Sequence, residues 1–235
     1  MRGPLALVGS GEYLPVMQPV EALLLEGRAP RYVQLPTAAA EEGERSLARW
    51  VGLGRKQAER LGVEAVPVVV RDREEADDPA LAALVEGAGL VYLSGGNPPY
   101  LATTLRGTRV WDAIKAAWES GAALAGCSAG AMAMSDRVPH VRARDRAPEE
   151  GLGVLPGWRV LPHFDRMKHW DPGLVKRTIA ELPAGEVVVG IDEETALVQQ
   201  DGAWVVHGRQ QVHLLTPDER TSYRAGASVP LPSPL

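Results

Sequence analysis

The stretch Gly121-Ala-Ala-Leu-Ala-Gly-Cys-Ser-Ala-Gly-Ala131 constrains the fold of this chain more than any other. A short apolar run, residues 122–125, passes into Gly126-Cys127-Ser128-Ala129-Gly130 and then into Ala131-Met132-Ala133-Met134, which can start a helix. Strand, Gly-x-Ser-x-Gly and helix in that order have the pattern of a nucleophile elbow. The turn is too tight for side chains beside its central residue, so glycine is needed on both flanks. The pattern exposes Ser128 at the carboxyl end of a buried strand. The backbone N–H of Ala129, at the start of the helix, faces the same point and can stabilise an oxyanion.

The chain before this stretch alternates between two periodicities. Residues 5–9, 32–35, 66–70 and 90–93 are short apolar or β-branched runs that read as buried strands. Between them lie helical stripes: Val16, Val20, Leu23 and Leu24; then Leu47, Trp50, Val51, Ala58 and Leu61; then residues 79–86; then Trp111, Ile114 and Trp118. Such alternation implies parallel pairing through right-handed crossovers, with helices on both faces of the sheet. The expected architecture is a three-layer α/β/α fold around a mostly parallel sheet. Sites in such sheets form at the carboxyl ends of the strands. Gly95-Gly96, after the fourth strand, and Ser128, after the fifth, both fall at that edge.

Beyond the elbow, residues 135–157 read as an irregular, charged excursion near the site. Residues 158–161 form a strand ending at Pro162-His163-Phe164, and Val175, Thr178, Ile179 and Leu182 mark a helix. Residues 187–191 are a β-branched strand leading into Asp192-Glu193-Glu194; parallel to the strand before Ser128, it would bring Glu193 to the site. Asp201-Gly202 between two apolar runs signals a hairpin. Residues 195–235 therefore read as an antiparallel β extension and tail of one domain spanning 1–235.

A net charge of −5 argues against nucleic acid or an anionic membrane as partner, and no apolar run approaches a membrane span. The first residues read as a buried strand and not as a signal peptide, so a cytoplasmic location is the default expectation. The single cysteine, Cys127, precludes an internal disulfide. The five histidines lack the spacing of a helical zinc site, and Ser10-Gly11 lacks the third glycine and the acid of a dinucleotide loop. Neither metal nor cofactor is expected. The expected partners are a small peptide substrate and, in a homodimer, a second copy of the chain.

A serine hydroxyl needs an adjacent base to act as a nucleophile at neutral pH. His163, directly after a strand, is the candidate; His140 and His169 lie in less ordered stretches. A carboxylate must then hold the other imidazole nitrogen. Glu193 is the candidate, its neighbours Asp192 and Glu194 pointing elsewhere because adjacent residues diverge, and Asp145 in the excursion is an alternative acid. Gly95-Gly96 can supply the second oxyanion donor from Gly96 and let a substrate approach Gly95 and Asn97. Arg166, three residues past His163, can meet an acidic substrate group with a bidentate fork. Thiol chemistry at Cys127 is a further alternative, disfavoured because the residue before the nucleophile points into the core.

Leu93-Ser-Gly-Gly-Asn97, Gly126-Cys-Ser-Ala-Gly-Ala131, Pro162-His-Phe164 and Gly190-Ile-Asp-Glu-Glu-Thr-Ala-Leu197 occur in this order. The set resembles the serine peptidase family of aspartyl dipeptidase (peptidase E) and cyanophycinase, over roughly residues 5–200. The resemblance implies a fold similar to class I glutamine amidotransferase domains and flavodoxin-like proteins. It also implies a triad of Ser128, His163 and Glu193, with Asp145 kept in view because the acid can lie between serine and histidine. The implied activity is serine-type hydrolysis of short peptides, with an N-terminal Asp as the expected preference. The alternatives are a cyanophycinase-like hydrolase of β-aspartyl peptides and a non-catalytic ligand-binding member of the fold. Cyanophycinases carry several arginines after the histidine, whereas this chain has Arg166 and Lys168.

Overall fold

In the computed structural model, residues 1–140 and 147–232 are described. The first half is a run of strand–helix units: β1 (Leu5–Val8), α1 (Gln18–Leu25), β2 (Arg31–Leu35), α2 (Glu44–Leu61) and β3 (Glu64–Pro67). Next come the short helices α3 (Arg73–Ala76) and α4 (Pro79–Ala83), then β4 (Leu90–Leu93), α5 (Pro98–Leu105), α6 (Arg109–Glu119), β5 (Ala123–Cys127) and α7 (Ala129–Ala133). Strands β1 to β5 pair in parallel in the order β1-β5-β4-β2-β3. Successive strand residues face opposite sides, and the two sides have separate cores. Leu5, Leu7, Val33, Leu35 and Leu124 pack with residues of α5, α6 and α7. Ala6, Val8, Tyr32, Tyr92 and Cys127 pack with residues of α1 and α2.

The second half begins with a small hairpin of β6 (Arg137–Val138) and β7 (Glu149–Glu150), continuing through β8 (Trp158–Leu161), α8 (Phe164–Trp170), α9 (Pro172–Ala180) and β9 (Val187–Ile191). Strands β10 (Thr195–Gln200), β11 (Ala203–Gly208), β12 (Gln211–Leu215), β13 (Arg220–Arg224) and β14 (Ser228–Val229) complete the chain. The Asp201-Gly202 hairpin forms as expected, both residues having positive φ (52° and 81°).

The expected parallel sheet, helix-covered on both faces and extended by antiparallel strands, is what the chain builds. One placement differs. Strands β8 and β9 pair with each other in parallel, but they lie in a second sheet of order β13-β12-β9-β8. The position beside β1 is taken by β10, antiparallel, which follows β9 after a turn through Glu194 at φ 54°. The C-terminal strands are accordingly shared: β10, β11 and β14 extend the main sheet, β12 and β13 the second one. The rings of Trp158 on β8 and Trp204 on β11, both buried, meet at 5.0 Å and bind the two sheets together. Among the described residues, no helix is long and apolar enough to cross a membrane.

Candidate active site

Ser128 stands between β5 and α7 with φ 49° and ψ −106°, a conformation an L-residue holds only when its surroundings enforce it. The flanking glycines show how. A side chain at Gly126 would meet the Gly130 carbonyl carbon at 2.5 Å, and one at Gly130 would strike the Leu93 carbonyl oxygen of β4. The Ser128 N–H donates to Val8 O at 2.9 Å, anchoring the turn to β1 as well. The Ser128 side chain is left half-buried at the sheet's carboxyl edge.

His163 reaches Ser128 from the second sheet. It follows β8 in the left-handed conformation (φ 48°, ψ 37°), and its N–H donates to Gly9 O at 3.3 Å, just past β1. Its Nε2 lies 3.0 Å from Ser128 Oγ, and its Nδ1 lies 3.0 Å from Glu193 Oε1. Glu193 follows β9. Its N–H donates to Asp165 Oδ1 at 2.9 Å, and its carbonyl accepts from Gln210 Nε2 and Thr195 Oγ1. Parallel pairing of β8 with β9 thus puts histidine and carboxylate at one sheet end, and the join at Gly9 brings both to the serine.

The other expected residues fall as follows. Asp192 pairs with His213 and Glu194 with Arg209, so the three adjacent acids do diverge. His140 pairs with Glu149 at 3.2 Å, and His169 is exposed on α8. Asp145 lies outside the described residues. Arg166 Nε sits 3.4 Å from Glu193 Oε2 and 3.6 Å from Asp165 Oδ2. Asn97 caps α5, its Oδ1 accepting from Tyr100 N–H, and its Nδ2 donates to Glu41. Gly95 is buried and its N–H is bound by Glu12, whereas Gly96 is exposed. At φ 144° and against the Ala38 carbonyl, position 96 has no room for a side chain. Cys127 is fully buried, and burial together with the nearby Glu12 carboxylate pushes its thiol well above the ordinary range.

A cleft of about 530 Å³ opens over Ser128 and His163. Its walls include Gly96, Met132, Met167 and Trp170; among the described residues, Glu41, Glu42 and His140 are the titratable side chains besides His163, and Arg166 does not line it. Trp170 is 63 % exposed, its ring 5.7 Å from that of His163. Sequence reasoning missed Glu12, Glu41, Glu42 and Trp170. For Trp170 the signal was present, since His163, Met167 and Trp170 have the i, i+4, i+7 spacing of one helix face.

Fold and residues define a class: an α/β/α protein with serine, histidine and carboxylate hydrogen-bonded in series at the edge of its sheet. Residues 5–206 match peptidase family S51, and the chain belongs to that family. It is 29% identical over 220 residues to cyanophycinases of Trichormus variabilis and of a Nostoc species, covering 87% of this chain and 71% of theirs. Its fold superposes on the crystal structure of a peptidase from an acI-B1 Actinobacterium with a TM-score of 0.91, at 43% identity and 97% coverage of both chains. A Listeria monocytogenes EGD-e protein assigned to peptidase E shares the fold at 17% identity, with a TM-score of 0.61, over 96% of this chain and all of that one.

Proposed function

We propose that this member of family S51 is a serine-type peptidase that hydrolyses short peptides through a Ser128–His163–Glu193 triad. The observation that carries the reading is the pair of 3.0 Å contacts that flank the His163 ring. In this reading Ser128 Oγ attacks the peptide carbonyl while His163 Nε2 takes its proton. The same nitrogen then delivers the proton to the leaving amine, and water hydrolyses the acyl-enzyme by the reverse sequence. Glu193 holds the Nδ1–H tautomer and stabilises the imidazolium. The N–H of Ala129, first in its helix and so without an intrahelical acceptor, and that of Gly96 receive the oxyanion.

An N-terminal Asp would need a cation in the cleft, and Arg166 is engaged with Glu193 and Asp165 instead. Glu41 and Glu42 favour neutral or basic side chains beside the scissile bond. That wall, with the cyanophycinase relatives, supports a second substrate reading: β-aspartyl peptides bearing a basic group. A panel comparing Asp-, Asn-, neutral and β-Asp-Arg dipeptides ranks these options directly.

The chemistry is tested by a fluorophosphonate probe. Wild type should label once, at Ser128. Ser128→Ala should lose the label and about 10⁴-fold or more in turnover, while Cys127→Ala keeps the label and most of the turnover, losing no more than about tenfold. A label on Cys127, or persistent hydrolysis by Ser128→Ala, would end the serine reading. An unlabelled, inactive wild type would favour a ligand-binding role.

A further inference from the structure

The loop after β1 grips the loop after β4 at two adjacent points. Glu12 Oε1 accepts the Gly95 N–H at 3.0 Å, and Tyr13 Oη lies 2.6 Å from Ser94 Oγ. Consecutive side chains reach the same loop because Gly11 and Tyr13 both have positive φ, 84° and 66°. A left-handed tyrosine costs on the order of 1–3 kcal/mol, so the surroundings must hold it there. They do: Tyr13 is buried, and its hydroxyl also accepts from Gln34 Nε2 at 2.8 Å. The second carboxylate oxygen of Glu12 accepts from Cys127 Sγ at 2.8 Å. One carboxylate therefore bridges the residue before the nucleophile and the glycine before Gly96.

We propose, resting on the serine-peptidase reading, that Glu12 is a positioning residue for the oxyanion site. By occupying the Gly95 N–H it turns that donor away from the cleft and leaves the Gly96 N–H to receive the oxyanion. By bonding Cys127 as well, it fixes the spacing between that donor and Ser128. Three further observations agree. Gly95 is buried while Gly96 is exposed and lines the cleft. A side chain at Gly95 would meet Glu12 Oε1 at 2.7 Å and Ser128 Cβ at 3.5 Å, so carboxylate, glycine and nucleophile are packed without slack. The Cys127 thiol, bonded to the same carboxylate, is fully buried and so kept out of the cleft.

Oxyanion donors act only in the transition state, and removing one costs roughly 10²- to 10³-fold in rate. Displacing one should cost less, about 10- to 100-fold. The test compares wild type, Glu12→Ala and Glu12→Gln on one short peptide. It also compares inhibition by a peptide aldehyde, whose serine adduct carries the oxyanion, with inhibition by the matching alcohol, which forms no adduct. Glu12→Ala should lose about 10- to 100-fold in kcat with KM within about threefold, and the aldehyde-to-alcohol preference should fall in step. Glu12→Gln keeps an acceptor for Gly95 and should recover most of both. If Glu12→Ala does not fold, Glu12→Asp, too short to span both partners, is read the same way. A folded variant with kcat and aldehyde preference near wild type overturns the proposal, as does a change in KM alone. With wild type labelled at Ser128, such a result leaves the serine reading standing; an unlabelled wild type that ignores the aldehyde removes both.

Discussion

Asp192 and Glu193 are adjacent in the chain and serve different histidines: Asp192 Oδ1 lies 3.1 Å from His213 Nε2, and Glu193 Oε1 lies 3.0 Å from His163 Nδ1. The first pair is buried at the root of the turn, Asp192 at 6 % and His213 at 6 % exposure, while in the second His163 lines the cleft. One acid should therefore act on structure and the other on turnover. Glu193→Gln should lower kcat by about 10²- to 10⁴-fold, since an amide no longer favours the Nδ1–H tautomer or the imidazolium. Asp192→Asn should leave kcat within a fewfold and lower stability by about 1–3 kcal/mol, the range for a disturbed buried polar pair. Kinetics and thermal melts of the two variants check this; a large kcat loss in Asp192→Asn with Glu193→Gln near wild type would reverse the roles.

Arg166 touches Glu193 from its solvent side. Its side chain is 58 % exposed, and its nearest approach to Glu193 is 3.4 Å. Exposed pairs of this kind contribute about 0–1 kcal/mol. Arg166→Ala should therefore slow every peptide alike, by no more than about fivefold. The ratio of rates on Asp- and Asn-initiated peptides should not change. If that ratio falls tenfold in the variant, Arg166 does contact an acidic substrate and the cleft must rearrange to admit it.

The turn around Ser128 was legible because its geometry demands residue types at fixed places: glycine at 126 and 130, an apolar strand before and a helix former after. The parallel core strands were legible for a similar reason, since burial on both faces leaves unbroken apolar runs. His163 and Glu193 were legible as residues that follow strands. Their sheet was not, because β8 and β9 have the same apolar character whichever sheet they join. What decides is whether β10 pairs with β1, a choice made between residues nearly 190 positions apart, such as Val8 and Ala196. Glu12 was hidden for the same reason, as its partners Gly95 and Cys127 lie 83 and 115 positions away. Local patterns announce elements and turns; contacts that close over such distances leave no local trace.

The remaining prediction concerns a carboxylate that the chemistry does not use. Glu21 on α1 is 1 % exposed, and neither of its oxygens has a hydrogen-bond partner among the described residues. Burial pushes its pKa up from 4.5 to about 7; Gln57 and Tyr32 lie near enough to oppose the shift but not to cancel it. The folded protein therefore holds this proton more tightly than the unfolded chain does. Between about pH 4.5 and 7 the folded state carries the extra proton, so stability must fall as pH rises through that window and stay reduced above it. The full contribution of such a shift is up to about 3 kcal/mol. Glu21→Gln keeps the shape and removes the titration. The variant should be more stable than wild type at pH 8, with a Tm higher by several degrees, and the difference should vanish near pH 4. Melting both proteins at pH 4, 6 and 8 isolates this group, because all other titrations are common to the pair. A constant difference in Tm across the three values would show that Glu21 is ionised to the same extent in the folded and unfolded chain.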